Sequence, residues 1–149
     1  MDLAALYDAW AARLLAYMMT ITRDRHRAED ALQNLFVKLA TNPPEMRNAG
    51  PYLYRAARNE ALRAAKGRQE RPLAELEILA PLVEGAVDSA SLAAALDRLP
   101  EEQSEVVLLH AVEGFTFREV AKIVRIPADT AASRYRLAIE KLQELVRRD

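Results

Sequence analysis

Thr116-Phe117-Arg118-Glu119-Val120-Ala121-Lys122-Ile123-Val124, then Arg125-Ile126-Pro127, then a run from Ala128 to Arg147, is the stretch whose reading decides the fold. Thr116 and Glu119 stand at the spacing of a capping box, in which each side chain accepts from the other residue's backbone N–H. A short helix through Val120, Ala121, Ile123 and Val124 follows, and Arg125-Ile126-Pro127 breaks it tightly. In the longer helix beyond, Ala131, Tyr135, Ala138, Leu142 and Leu145 recur at inward spacing. Thr130, Ser133, Arg134, Arg136 and Lys141 then take polar positions outside that core. A capped short helix, a turn and a longer helix with basic outward positions describe a helix-turn-helix. Such a second helix needs apolar residues against its partner, polar groups for base edges and positive charge for phosphates. The same residues also suit an αα-hairpin in a plain bundle, and alone they do not choose.

Working outward, Pro100-Glu101-Glu102 opens the preceding helix, with proline in its first turn and acids beside the positive end of the dipole. That helix closes at Gly114, and Asp88-Ser89 caps another over Leu92–Leu99. Residues 69–87 have weak periodicity, two prolines and, after Arg71, only acidic charges, the pattern of a linker outside either core. Farther upstream, residues 2–22 repeat Leu3, Leu6, Tyr7, Trp10, Leu14, Tyr17, Met18 and Ile21 at helical spacing. Asp24 caps a second helix, which runs to about Ala40 and is stopped by Thr41-Asn42-Pro43-Pro44. A third starts near Pro51 and continues toward Arg68. No segment alternates as a strand does. The fold class is all-α: two small helical domains over residues 1–68 and 88–149, joined by an acidic linker over 69–87.

Several function classes fall away on composition. The 149 residues include no cysteine, which removes disulfides and thiolate chemistry. The four glycines lie too far apart for a phosphate-cradling loop. His26 and His110 have no nearby ligand pair, so no metal or other cofactor is expected, nor any active site for a small-molecule substrate. No apolar run approaches the roughly 18 residues of a spanning helix, and Met1-Asp2-Leu3 does not start like a signal peptide. A cytoplasmic chain without membrane insertion is expected. The formal net charge of −1 hides an uneven distribution: +4 over residues 52–71, −4 over 72–95 and +3 over 132–148. Two basic stretches separated by an acidic one read as two contacts with an anionic surface.

Several motifs together resemble a known family. Leu99-Pro100-Glu101-Glu102-Gln103-Ser104-Glu105-Val106-Val107, Glu113-Gly114-Phe115-Thr116, Glu119-Val120-Ala121 and Ile126-Pro127 with Thr130-Ala131-Ala132-Ser133-Arg134 resemble region 4 of a group IV, or extracytoplasmic function, sigma factor of the sigma-70 family. Ala28-Glu29-Asp30-Ala31-Leu32-Gln33-Asn34-Leu35-Phe36-Val37-Lys38-Leu39 resembles its region 2.2. Tyr52-Leu53-Tyr54-Arg55-Ala56-Ala57-Arg58-Asn59-Glu60-Ala61-Leu62 resembles its regions 2.3 and 2.4. The segments stand in the family's order.

The resemblance implies a non-enzymatic factor that binds core RNA polymerase, directs transcription initiation at its own promoters and is held by an anti-sigma factor. Asp30, Gln33, Asn34 and Val37, grouped on the polar side of the second helix, would contact the polymerase. Arg55, Arg58, Asn59, Arg63 and Lys66 would hold the melted −10 element, the amide on a base edge and the cations on the backbone. Thr130, Ser133, Arg134, Arg136 and Lys141 would read the −35 duplex. Two other readings stay open: a sigma-like decoy that sequesters an anti-sigma protein, and a stand-alone helix-turn-helix repressor.

Overall fold

The computed structural model describes residues 2–45, 47, 49–73 and 89–148, and all the regular structure among them is helical. Helix α1 (Leu3–Thr22) starts where the Asp2 carboxylate accepts from the backbone N–H groups of Ala4 and Ala5. It ends at Arg23, whose φ of 57° is left-handed. Asp24 then caps α2 (Arg25–Thr41) by accepting from the Arg27 N–H. Helix α3 (Ala49–Ala64) lies across both. Leu14, Tyr17 and Met18 meet Ala28, Leu35, Leu53, Ala57 and Ala61 in a core from which water is excluded. Alanines at 28, 57 and 61 let the backbones approach closely around the larger side chains.

Two boundaries differ from the sequence reading. Helix α3 stops at Ala64, and a turn through Gly67 (φ +74°) replaces the expected continuation toward Arg68. Lys66 therefore sits in that turn. Leu73, assigned to a linker outside either core, is fully buried, and its N–H donates to the Asp97 carboxylate at 2.9 Å. Glu75, Glu77, Glu84 and Asp88, with the expected cap at Asp88, lie outside the described residues.

The C-terminal half holds α4 (Ser89–Asp97), α5 (Glu101–Val107), α6 (Phe117–Val124) and α7 (Ala128–Arg148). Pro100 occupies the N-cap of α5 rather than its first turn. The helix does not run regularly to Gly114. It passes at Leu108–Val112 into a π-helical turn, in which the Glu113 N–H reaches back five residues to the Leu108 carbonyl. The widened turn brings His110 against Phe117, with rings stacked at 4.0 Å, and edge-on to Tyr135. The expected capping box is present: Thr116 Oγ1 accepts from the Glu119 N–H at 3.1 Å, and Glu119 accepts from the Thr116 N–H at 2.9 Å. Thr116→Ala should cost about 1 kcal/mol, read as a lower urea midpoint at unchanged m-value.

The two halves pack on each other. Helix α3 lies against α6, and Phe115 packs edge-on to Tyr54 at 5.1 Å. The approach is tight at Gly50, where a Cβ would stand 3.2 Å from both the Phe115 and Trp10 rings and would press them back by a few tenths of an ångström.

Candidate nucleic-acid and partner interfaces

The polar side of α2 is open. Asp30, Gln33, Asn34 and Val37 are all exposed, and Val37 is 67% exposed, the most exposed of the large apolar residues described. Beside this stripe a groove of about 360 Å³ runs between α2 and α3, lined by Asp30, Asn34, Val37, Lys38, Glu60 and Arg63. The Glu60 side chain is 7% exposed and is held by Lys38 from α2 and by Arg63 one turn along α3. A buried carboxylate needs such partners. Arg63, expected at the −10 surface, therefore flanks the α2 groove.

Helical rotation sorts the other α3 residues. Arg55 and Tyr52 point to solvent, Asn59 is half-buried beside them, and exposed Lys66 follows in the turn. Arg58 turns the other way, toward the C-terminal half. Its Nε and Nη2 donate to the two carboxylate oxygens of Glu105 at 3.0 and 3.2 Å. Burial works against the Arg58 charge, but the hydrogen bond and negative charge of Glu105 outweigh it, and the net shift of its pKa is upward. In this arrangement the guanidinium fork of Arg58 is already occupied.

Four more groups complete the seam. The Tyr17 hydroxyl donates to Glu105 at 2.7 Å, and the Tyr54 hydroxyl donates to Glu113. Arg13 donates to Glu113 at 3.0 Å, and the Glu113 side chain is 1% exposed. At the far edge, Arg68 pairs with Glu101, and Arg23 pairs with Asp97 at 3.2 Å. Burial, reinforced by the adjacent carboxylate charge, raises both phenol pKa values: Tyr17 beside Glu105 and Tyr54 beside Glu113. A raised folded-state pKa keeps a proton that the unfolded chain loses near pH 10, so this contribution is complete below that pH and is lost above it. The urea midpoint should therefore fall as pH rises beyond about 10, and Tyr17→Phe with Tyr54→Phe should flatten that fall.

On α7, Thr130, Ser133 and Arg134 are half-buried, whereas Arg136 and Lys141 are exposed. Arg134 lines a cavity of about 300 Å³ between the halves, which Arg58, Leu62, Leu73, Leu96 and Leu108 also line. Arg136 and Arg134 lie about 160° apart around the helix, so they occupy opposite flanks of the presented face. Leu137 stands between these polar positions, 49% exposed. Sequence reasoning missed Arg13, Tyr17, Tyr54, Glu105 and Glu113 as a joint. The one local signal was the Glu101/Glu105 pair, four apart on a helix edge facing no lysine or arginine of its own segment. Among the described residues no cluster of His, Asp or Glu could hold a metal ion, and no helix is long and apolar enough to cross a membrane.

Two family models match: Sigma-70 region 2 over residues 6–71, and Sigma-70, region 4 over residues 89–142. Among curated proteins, the ECF RNA polymerase sigma factor SigM of Bacillus subtilis is 21% identical over 99% of this chain and 97% of its own length. The ECF RNA polymerase sigma factor SigL of Mycobacterium tuberculosis is 27% identical, over 93% of this chain and 85% of its own. Two solved structures have the same fold. The sigma factor RpoE, in complex with the anti-sigma factor NepR from Bartonella quintana, is 24% identical with a TM-score of 0.67, over 92% of this chain and 91% of that one. CnrH, in complex with the cytosolic domain of CnrY, is 21% identical with a TM-score of 0.70, over 99% of this chain and 88% of that one.

Proposed function

The chain belongs to the sigma-70 family, in its extracytoplasmic function (ECF) group, and from that premise we propose that it is a working alternative sigma factor: it binds core RNA polymerase in the cytoplasm and directs initiation at promoters carrying its own −10 and −35 elements. Residues 1–68 form the polymerase and −10 unit, 69–87 the linker, and 88–149 the −35 unit. Asp30, Gln33, Asn34 and Val37 dock on the polymerase. Arg55, Asn59 and Lys66, with Arg58 once it is released, hold the melted strand. Arg136 and Lys141 approach the −35 duplex first, and Thr130, Ser133 and Arg134 complete the contact. Melting needs no hydrolysis in this scheme, because binding energy to unstacked bases offsets it. An anti-sigma protein is the expected regulator.

The observation that carries this reading is the pairing of both family regions, in order, with an open polar stripe on α2. Run-off transcription with core polymerase tests it: transcripts that depend on the chain support it, and none from any promoter in a genomic library overturns it. Free of polymerase, the chain should bind duplex DNA weakly, with a log–log salt slope of about 2–3, because Arg134, Arg136 and Lys141 neutralise few phosphates. Nanomolar sequence-specific duplex binding by the chain alone would favour a stand-alone repressor. Exposed Leu137 within the −35 face favours one second reading, a decoy that binds an anti-sigma protein without initiating.

A further inference from the structure

Among the described residues of α7, one large apolar side chain is exposed, that of Leu137. A single exposed leucine is ordinary on a protein surface. Its place on this helix is not. At about 100° per residue, Leu137 falls within roughly 60° of Thr130, Ser133, Arg134 and Lys141, four of the five residues set against the −35 duplex in the function proposed above. Ala131 and Ala138, whose burial marks the inward side of the helix, lie about 100–120° away from it. We propose that Leu137 determines specificity in the −35 contact: its side chain covers the 5-methyl group of a thymine in the major groove. This deepens the promoter-reading role proposed above and rests on it.

The chemistry of the groove limits what a leucine can meet there. Each base pair presents donors and acceptors along its major-groove edge, and the thymine methyl is the one apolar group among them. Against adenine, cytosine or guanine, the leucine would strip water from an amino hydrogen or a carbonyl oxygen and return no hydrogen bond. Against thymine it buries a methyl group instead. Removing one such group from water corresponds to about fourfold in affinity.

The surroundings of Leu137 favour DNA over a protein partner. A docking face for a protein needs a contiguous apolar patch. The residues one turn away are Ser133 and Arg134 on one side and Glu140 and Lys141 on the other. Arg134 and Lys141 stand about 4.5 and 6 Å from Leu137 along the axis, placed to hold phosphates before and after it. Phosphate contacts fix the register of a helix in the groove, and the side chain between them meets the bases. Farther on, Glu140 and Glu144 turn the face acidic, which bounds the part that phosphates tolerate near Lys141.

Removing the methyl group alone tests the assignment. A promoter library randomised across the −35 element is transcribed by core polymerase carrying the full-length chain, and the transcribed members should share a thymine. Uracil in its place pairs identically and lacks only the methyl. It should lower run-off yield about fourfold when the chain is limiting. Leu137→Ala should lower yield from the thymine promoter by at least that factor. Uracil should then cost nothing further, the signature of a lost pairwise contact. Leu137→Met keeps an apolar side chain of similar volume and should keep the uracil effect. Both variants should match wild type in circular dichroism, because position 137 is exposed and both new residues are good helix formers. Uracil tolerated by the wild-type chain at every shared thymine, or an equal uracil cost in Leu137→Ala, overturns the inference and leaves Leu137 to an anti-sigma contact. If no promoter is transcribed, the sigma-factor reading falls instead. The same uracil comparison, made on duplexes retained by the free chain at low salt, then decides the inference: a methyl effect that needs Leu137 keeps it, and none overturns it.

Discussion

Core RNA polymerase should fail to retain the chain that carries Gln33→Glu with Val37→Arg. Val37 is 67% exposed on a helix whose opposite side is filled by Ala28, Leu32, Leu35 and Leu39, so an apolar side chain is held out to solvent where the fold gains nothing from it. A partner surface that covers it would have to desolvate charge in the variant and make room for a longer side chain, since the introduced carboxylate and guanidinium stand four apart on one helix and reach each other at its surface. Mismatched charge buried at an interface costs about 2–5 kcal/mol, so association should weaken by roughly thirtyfold to a few thousandfold. The fold should be indifferent. Both new residues are good helix formers at exposed positions, where substitutions change stability by no more than about 0.5 kcal/mol. Pull-down with core polymerase and circular dichroism, measured on the same preparation, decide it. Normal retention would remove the α2 stripe from the polymerase interface.

Asn59→Ala and Arg136→Ala should damage transcription at different steps. Each removes a group that the proposed function sets against a base edge, and such contacts discriminate by about 1–3 kcal/mol, or roughly ten- to a hundredfold. Asn59 lies on the outward arc of α3 with Arg55, where a melted strand would run. Its loss should leave formation of the closed complex intact and reduce open complexes. Arg136 is exposed on α7, and its loss should weaken promoter capture before melting, with the defect confined to promoters that depend on the −35 element. Gel shifts of polymerase complexes and run-off yields, with the chain limiting and then saturating, separate the two. The same defect in both variants would contradict the division of labour between the halves.

What is legible in the sequence is what local chemistry writes. The Asp24 cap and the Thr116/Glu119 box follow from spacing alone and stand where the sequence puts them, whereas the Asp2 cap emerges only in the structure. Leu53, Ala57, Ala131 and Ala138 are buried as their periodicity requires. Leu62 fits the same apolar pattern on α3 yet is 45% exposed, because it faces the cavity at the seam rather than a neighbouring helix. The seam itself is not legible. Its inner ion pairs join residues 47 to 100 apart in the chain, and no period in either segment reports a pairing at that distance. Arg58 reads as one more cation in a basic run, and only the structure separates it from Arg55, three residues earlier and exposed to solvent. The expected −10 group of Arg55, Arg58, Asn59, Arg63 and Lys66 thus divides three ways, toward α2, toward solvent and toward Glu105.

The π-helical turn at Leu108–Val112 sets how the two inner carboxylates are phased. In an uninterrupted α-helix, residues eight apart differ by about 80° in direction, and Glu105 and Glu113 would diverge. A π turn absorbs one residue, so the two behave as if seven apart, which is nearly two whole turns. Both therefore aim at the same neighbour, one at Tyr17 and Arg58, the other at Tyr54 and Arg13. A chain one residue shorter in this turn would keep that common aim as a plain α-helix and would give up the bulge that seats His110 on Phe117. Rotational phase is thus preserved across a change of length, and the ring stack is where the extra residue is stored.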